Sequence, residues 1–332
     1  MNYTIRPAAR APIRRILRFI RAHDDFLCSG HVRSDGDALG SQLALDHLLR
    51  AMGKRSHVVC DEGVMPELRF LPGADRVGSS PRHLRGPYQA VFTCDSGALS
   101  RLERIVAAVT DGTAVVNIDH HASNERFGTI NWIDPSYAAT GEMIYDLIRS
   151  SGARLTPAMA QCLYVALVTD TGRFSFSNTT IRTHLIAADL MRRGVRPARI
   201  HQEVYRNRTP EGLRLYCETL RRMKRRGPVA WVAVTRALMR RCGTEPTDTQ
   251  EFIDAVKSVK GVRVAVLLRE LDRPGRVKVS WRTEPPIDGV ALARRFGGGG
   301  HRRASGATVD GSLARAERDV IGATLRAIRE AR

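Results

Sequence analysis

A series of short apolar runs, each ending in aspartate or histidine, constrains this 332-residue chain more than any other feature of it. Phe26-Leu27-Cys28 leads to His31, Asp35 and Asp37, and Val91-Phe92-Thr93-Cys94 leads to Asp95. Ala114-Val115-Val116-Asn117-Ile118 leads to Asp119-His120-His121, and Val165-Ala166-Leu167-Val168-Thr169 to Asp170. Between the runs the apolar spacing turns helical: Ile13, Ile16, Leu17 and Ile20, then Asp37 to Met52 with a Gly53 stop, then Leu99 to Val109. His57 to Cys60 and Tyr88 to Thr93 read as further strands. Strands alternating with helices imply right-handed crossovers and a largely parallel sheet covered on both faces. The fold class is therefore α/β.

From Ala139 to Arg225 helical patterns dominate, and Thr156 to Val168 is apolar on nearly all sides, as a buried helix would be. After the basic stretch from Arg192 to Arg226 the alternation restarts, with strands at Val229–Val234, Val262–Leu268 and Val277–Trp281 and helices at Thr247–Val259 and Gly289–Phe296. The length alone exceeds one typical domain. We expect two domains, 1–190 with the parallel sheet and a smaller α/β domain at 227–332, joined by a helical linker at 191–226, with the active site in the cleft between them.

In parallel α/β sheets ligands bind beyond the carboxyl ends of the strands, where loops and helix N-termini converge. His31 to Asp37, Asp95 and Asp119 to His121 all fall at such ends, and Asp170 can join them from the end of its helix. Two carboxylates about 4 Å apart repel by roughly 4 kcal/mol at an effective dielectric near 20, so the cluster calls for cations. Oxygen-rich sites with one or two imidazoles suit manganese or magnesium better than zinc, which favours tetrahedral nitrogen and sulfur ligation.

The six cysteines are widely spaced, mostly within apolar runs, with no Cys-x-x-Cys pair, which agrees with an oxygen-rich site and reads as a reduced cytoplasmic protein. No apolar stretch approaches the length of a membrane span, and the start Met1-Asn2-Tyr3-Thr4-Ile5-Arg6 lacks the apolar region of a secretion signal. Lys and Arg exceed Asp and Glu, 53 against 34, giving a net charge of +19 that attracts polyanions such as nucleotides or nucleic acids. An arginine-rich proteome would give the same excess.

These acidic and histidine segments resemble the ordered motifs of the DHH phosphoesterase superfamily. Gly297-Gly298-Gly299-Gly300-His301-Arg302-Arg303-Ala304-Ser305-Gly306 resembles the signature of the DHH-associated domain. Length and domain succession are similar to the oligoribonuclease (nanoRNase) branch, whose members also dephosphorylate adenosine 3',5'-bisphosphate. The resemblance implies two divalent ions, manganese first and magnesium second: His31, Asp35 and Asp95 on one, Asp37, Asp95, His120 and Asp170 on the other, with Asp95 bridging. It implies that Asp119 supports the ligating His120, and that His121 faces the substrate phosphate as a catalytic group. Hydrolysis would then proceed by direct attack of water, without a covalent enzyme intermediate. The arginine often found in the family after the phenylalanine of the fourth motif is Ser175 here; Arg173, two positions earlier, is a candidate to bind phosphate in its place, and its role stays open.

Four glycines permit close backbone approach to a phosphate, so Gly298, Gly299, Gly300, His301, Arg302 and Arg303 are the expected nucleotide-binding residues. His23, His47, His57, His83, His184 and His201 lack companions at metal spacing, and Trp132, Trp231 and Trp281 read as packing residues. Arg221 to Arg226 reads as a solvated linker face rather than a track for nucleic acid. The expected substrates are short RNA oligonucleotides or nucleotides, cut by a monomer or homodimer with no membrane partner. A cyclic dinucleotide (c-di-AMP, or its linear product pApA) would suit the same metals, and a non-catalytic nucleic-acid-binding module would suit the charge. A manganese pyrophosphatase and a single-strand DNA exonuclease fit less well, the first because of the Gly-rich motif and the second because of the length.

Overall fold

Strands buried on both faces need uninterrupted apolar sequence, and β1 (Phe26–Gly30) and β3 (Ala90–Cys94) are buried at every position. They lie inside an all-parallel five-stranded sheet completed by β2 (Ser56–Val58), β4 (Ala114–Asp119) and β5 (Ile130–Ile133), in the order β2-β1-β3-β4-β5. A computed structural model describes residues 3–32, 34–79, 88–108, 113–244, 249–300 and 302–331. The chain divides into two units, Met1–Asn207 and Arg208–Arg332.

In the first unit the two-residue period of the strands sorts side chains between faces. Phe26, Cys28 and Phe92 enter the main core, where the two phenylalanine rings meet edge to face at 5.4 Å. Leu27 and Val91 go to the other face, against Tyr88, Leu102 and Ile105. The main core is closed by α1 (Arg10–Ala22), α2 (Gly36–Ala51), α3 (Thr140–Ser151), α4 (Pro157–Asp170), α5 (Ile181–Arg192) and α6 (Pro197–Tyr205). Thr180 caps α5, its hydroxyl oxygen accepting the Thr183 amide. The helix expected at Leu99 to Val109 is a 3-10 helix over Leu99–Ala108. Its buried residues Leu102 and Ile105 are three apart, the spacing that a three-residue turn places on one face.

The buried helix expected at Thr156 to Val168 is α4, and it packs antiparallel on α2 at unusually short range. A Cβ at Gly40 would stand 2.5 Å from the Cys162 carbonyl oxygen, and one at Gly36 would meet the Thr169 side chain. The absent side chains let the start of α2 lie beside the end of α4, which brings Asp37 next to Asp170.

The second unit holds a mixed six-stranded sheet in the order β10-β11-β9-β8-β7-β6. Its strands are β6 (Lys224–Arg226), β7 (Val229–Val234), β8 (Val264–Glu270), β9 (Arg276–Thr283), β10 (Gly299–Gly300) and β11 (Ala304–Asp310). Only β7 and β8 run parallel. On one face α11 (Leu313–Glu330) and α10 (Gly289–Arg294) pack on Val266, Leu268, Val279 and Trp281. On the other, α7 (Pro210–Leu220), α8 (Arg236–Cys242) and α9 (Gln250–Lys257) pack on Val232, Val234 and Leu267. Trp132 and Trp281 are buried and Trp231 is half-buried, as packing residues should be.

The segment 191–226, expected as a helical linker, contains α6, α7 and β6. Ile200 of α6 joins the core of the first unit, Leu215 of α7 joins that of the second, and β6 pairs with β7. Apolar residues at helical spacing drew both helices onto the neighbouring cores. Among the described residues no helix is long and apolar enough to cross a membrane, and Cys28, Cys60, Cys94, Cys162 and Cys242 are buried while Cys217 is exposed.

Candidate metal centre

Asp95 stands at the centre of the site, just past the end of β3, with a left-handed backbone at φ 58°. A residue other than glycine in that region is strained, and such strain collects at functional positions. Its two carboxylate oxygens divide the surroundings. Oδ2 lies 3.6 Å from His31 Nε2, and Oδ1 lies 3.4 Å from His120 Nε2 and 3.5 Å from His121 Nδ1, while accepting the Thr140 hydroxyl at 3.0 Å.

On the Oδ2 side His31 Nε2 is 3.8 Å from Asp35 Oδ2, and His31 Nδ1 is held by the Val32 carbonyl oxygen at 2.8 Å. Asp35 has two tasks. Its Oδ1 caps α2 by accepting the Asp37 and Ala38 amides at 3.1 and 3.0 Å, which leaves Oδ2 for the cluster. On the Oδ1 side His120 Nε2 lies 3.7 Å from Asp37 Oδ2 and 3.7 Å from Asp170 Oδ2.

Asp37, fully buried, accepts the Thr140 and Gly141 amides at 2.7 and 2.9 Å and the Ser41 hydroxyl at 3.1 Å. It thus caps α3, whose own N-cap residue Ala139 has no side chain able to do so. Among the described residues three groups have ligand atoms within 4.8 Å of one another: His31, Asp35 and Asp95; Asp37, His120 and Asp170; and Asp95, His120 and His121.

Separations of 3.4–3.8 Å between nitrogen and carboxylate oxygen are too long for hydrogen bonds. They match the edges of a polyhedron around a cation about 2.0–2.2 Å from each donor. An oxygen-rich set with imidazoles therefore fits a divalent ion, and without one the charges push protons onto the cluster. Burial alone would lower His31, yet Asp35 and Asp95 hold it up to about 10. Burial and the charge of Asp95 raise Asp37 against the pull of His120, and Asp170 is pushed up to about 6 by burial, again against His120. Burial works against ionisation of Asp95 as well, but His121, His120 and His31 keep it well below the ordinary carboxylate range.

All six expected ligands, His31, Asp35, Asp37, Asp95, His120 and Asp170, come together. Asp119 does not support His120. Its Oδ1 accepts from His121 Nδ1 at 2.6 Å, whereas His120 Nδ1 rests on the Tyr137 carbonyl oxygen at 3.2 Å. Along an extended strand end, residues two apart share a side and adjacent residues oppose, so Asp119 reaches His121.

Asn124 completes that arrangement, donating to Asp119 Oδ2 at 2.6 Å and to the Ser96 carbonyl oxygen at 3.0 Å. Thr140, Asn124 and Asn178, which donates to Asp170 Oδ2 at 3.2 Å, are functional neighbours that sequence reasoning missed. The cue nearest to use was an Asn three residues after the Asp-His-His triplet. His23 and His47 bond to the carbonyl oxygens of Phe19 and Pro72, and His57 is half-exposed, 3.8 Å from Asp25. His83 lies outside the described residues.

Arg173 is exposed, and its guanidinium sits 5.0 Å from the centre of the Tyr205 ring. In the second unit the glycine run ends in a two-residue strand, Gly299–Gly300. Gly299 and Gly300 pair with Gly306 and Ser305, and a Cβ at Gly298 would meet the Gly306 carbonyl oxygen at 2.1 Å. Gly298 is thus required for close strand packing. Arg302 is exposed, 3.3 Å from Asp288, and the Arg303 carbonyl oxygen accepts the Thr283 amide. His301 lies outside the described residues. In the basic run Arg221 to Arg226, Arg221 and Arg222 pair with Glu218 and β6 is exposed throughout.

A model of the DHH family, N-terminal domain, matches residues 25–167, and a model of the DHHA1 domain matches residues 231–330. The chain belongs to the DHH family of phosphoester hydrolases, with a DHHA1 domain as its second unit. It is similar to a Thermus thermophilus protein named bifunctional oligoribonuclease and PAP phosphatase NrnA, at 37% identity over 85% of this chain and 83% of that protein. A Bacillus subtilis protein of the same name is 28% identical over 89% of this chain and 92% of its own length. The crystal structure of an exopolyphosphatase-related protein from Bacteroides fragilis superposes with a TM-score of 0.85 at 25% identity, covering 97% of this chain and 96% of that one.

Proposed function

We propose that the chain is a metal-dependent phosphodiesterase that degrades oligoribonucleotides of about two to five nucleotides to mononucleotides and also removes the 3'-phosphate of adenosine 3',5'-bisphosphate. The observation that carries the reading is the division of Asp95, one oxygen toward His31 and the other toward His120. That is the placement of a carboxylate shared by two ions. His31, Asp35 and Asp95 would then hold one ion, and Asp37, Asp95, His120 and Asp170 the other, with manganese preferred and magnesium the second fit. Such ions supply Lewis acidity, which makes water nucleophilic at neutral pH and offsets charge on the phosphate.

The protein's own groups do the rest. Asp119 fixes His121 through Nδ1, so Nε2 is the nitrogen that serves the substrate. Burial would lower His121, but Asp95 and Asp119 raise it. A protonated His121 can neutralise a phosphate oxygen or donate a proton to the departing ribose oxygen. Arg173, Gly298, Gly299, Gly300, His301, Arg302 and Arg303 are the proposed contacts to nucleotide phosphate. The names of the relatives, 37% and 28% identical over most of the chain, support RNA and PAP as substrates.

The decisive experiment is a turnover panel with added manganese: a dinucleotide, a pentanucleotide, a 24-mer, adenosine 3',5'-bisphosphate and c-di-AMP. Rapid cleavage of the first two and of the bisphosphate, with the 24-mer slow, is expected. An intact dinucleotide and bisphosphate alongside RNA binding would sink the catalytic reading, and fast cleavage of c-di-AMP alone would redirect it.

A further inference from the structure

The end of the loop between β5 and α3 and the first turn of α3, residues 137–141, touch the candidate metal centre at several points. The Tyr137 carbonyl oxygen meets His120 Nδ1, Thr140 donates to Asp95 and Asp37, and Gly141 donates to Asp37. The Ala138 carbonyl oxygen accepts from Asn178 at 2.9 Å, and the same amide nitrogen reaches Asp170. An imidazole that ligates a metal through Nε2 depends on whatever holds its Nδ1. For His120 that holder is backbone, so its position depends on what fixes Tyr137.

Tyr137 is fixed from behind by a buried ionic network. Its hydroxyl donates to Asp146 Oδ2 at 2.6 Å, and its ring lies between Arg6, at 4.8 Å, and Arg182, at 5.2 Å. Arg182 donates to Asp146, to the Tyr3 hydroxyl and to the Thr4 carbonyl oxygen, lies 4.5 Å from the centre of the Tyr3 ring, and approaches Glu142 at 3.9 Å. Tyr3 donates to Asp146, Glu142 accepts the Ala138 amide, and Arg6 donates to the Ser136 carbonyl oxygen. Glu142 and Asp146 are wholly inaccessible. Buried ion pairs rarely add more stability than apolar residues of the same volume, so stability alone does not account for this one. Its other attested use is to hold one conformation against alternatives.

We propose that Arg182, with Tyr3, Arg6 and Asp146, is a positioning network for the metal centre: it immobilises Tyr137 so that the Tyr137 carbonyl oxygen orients His120. Tyr3, Arg6 and Arg182 lie outside residues 25–167, so this ties flanking segments of the chain to the metal chemistry. The proposal rests on the reading of His120 as a ligand. No residue of the network is among the proposed metal ligands or substrate contacts, and its action runs through one backbone carbonyl.

The test is manganese affinity by calorimetry on the full chain, at a temperature where circular dichroism shows each variant folded. Arg182→Met should weaken manganese binding by about tenfold or more, within the range seen when groups behind a metal ligand are removed. Tyr3→Phe, which deletes one hydroxyl and is the safer variant for folding, should weaken it in the same direction but less. Arg199→Met, on the exposed side of α6, should leave it unchanged. Excess manganese should restore most of the activity of Arg182→Met. Folded variants that melt earlier but bind manganese as the parent does would overturn the proposal and leave the network purely structural. If instead His120→Ala binds manganese as tightly as the parent, the ligand reading itself fails.

Discussion

Adjacent residues in this site do different work because of which atoms are already engaged. His31 shows the consequence for pH. Its value in the metal-free protein, up to about 10 against an ordinary 6.5, means that the protonated ring stabilises the fold. That contribution is complete below about pH 6.5 and is lost as pH rises toward about 10. A divalent ion must displace the same proton, so affinity should rise over the interval in which metal-free stability falls. EDTA-treated protein should therefore show a falling melting temperature from about pH 6.5 to about 10, with manganese affinity climbing in parallel. A melting temperature as flat as that of a His31→Gln variant would refute the assignment. Asp119 shows where sequence reading stops at this scale: its residue type marked it as a support, but only the direction of the side chain shows which imidazole it supports.

At the scale of elements, the order of the triplet is set by the pairing of β4. Thr93 lies opposite Asn117 and donates to its side-chain oxygen at 3.1 Å inside the sheet, while Asp119 lies opposite Ile133. A slip of one residue would reverse every face and exchange His120 for His121. The approach of α2 and α4 is equally specific. Gly40→Ala should cost about 1–3 kcal/mol by overpacking, measured by urea denaturation, and should also weaken manganese binding because Asp37 and Asp170 ride on the two helices. Loss of stability with unchanged metal affinity would separate the packing from the site. The strands that end in Asp or His were legible because β-branched runs with charged ends have few alternative readings. β5 was not, since Ile130-Asn131-Trp132-Ile133 is only four residues long and is interrupted by a polar Asn131. β10 was not, because glycines carry no pattern and Gly298 to Gly300 acquire their role from the backbone of β11.

Across the whole molecule the positive charge is unevenly distributed. Residues 208–332 hold 27 Lys and Arg against 14 Asp and Glu, so they carry the larger share of the excess. Attraction of polyanions is strongly screened by salt, and each phosphate contact adds to the slope. A ligand held through one or two phosphates should show a KM that rises by less than about tenfold between about 50 and about 200 mM salt. A steeper dependence for a dinucleotide would indicate a tracking surface in place of a small pocket. The two domains were legible from the restart of the alternating pattern, whereas the sharing of the segment 191–226 between two cores was not. That segment also follows the last proposed metal ligand, Asp170. Every proposed metal ligand precedes Arg208, so on that assignment drift or exchange in the C-terminal unit would alter which phosphoester is selected while the metal chemistry is inherited intact.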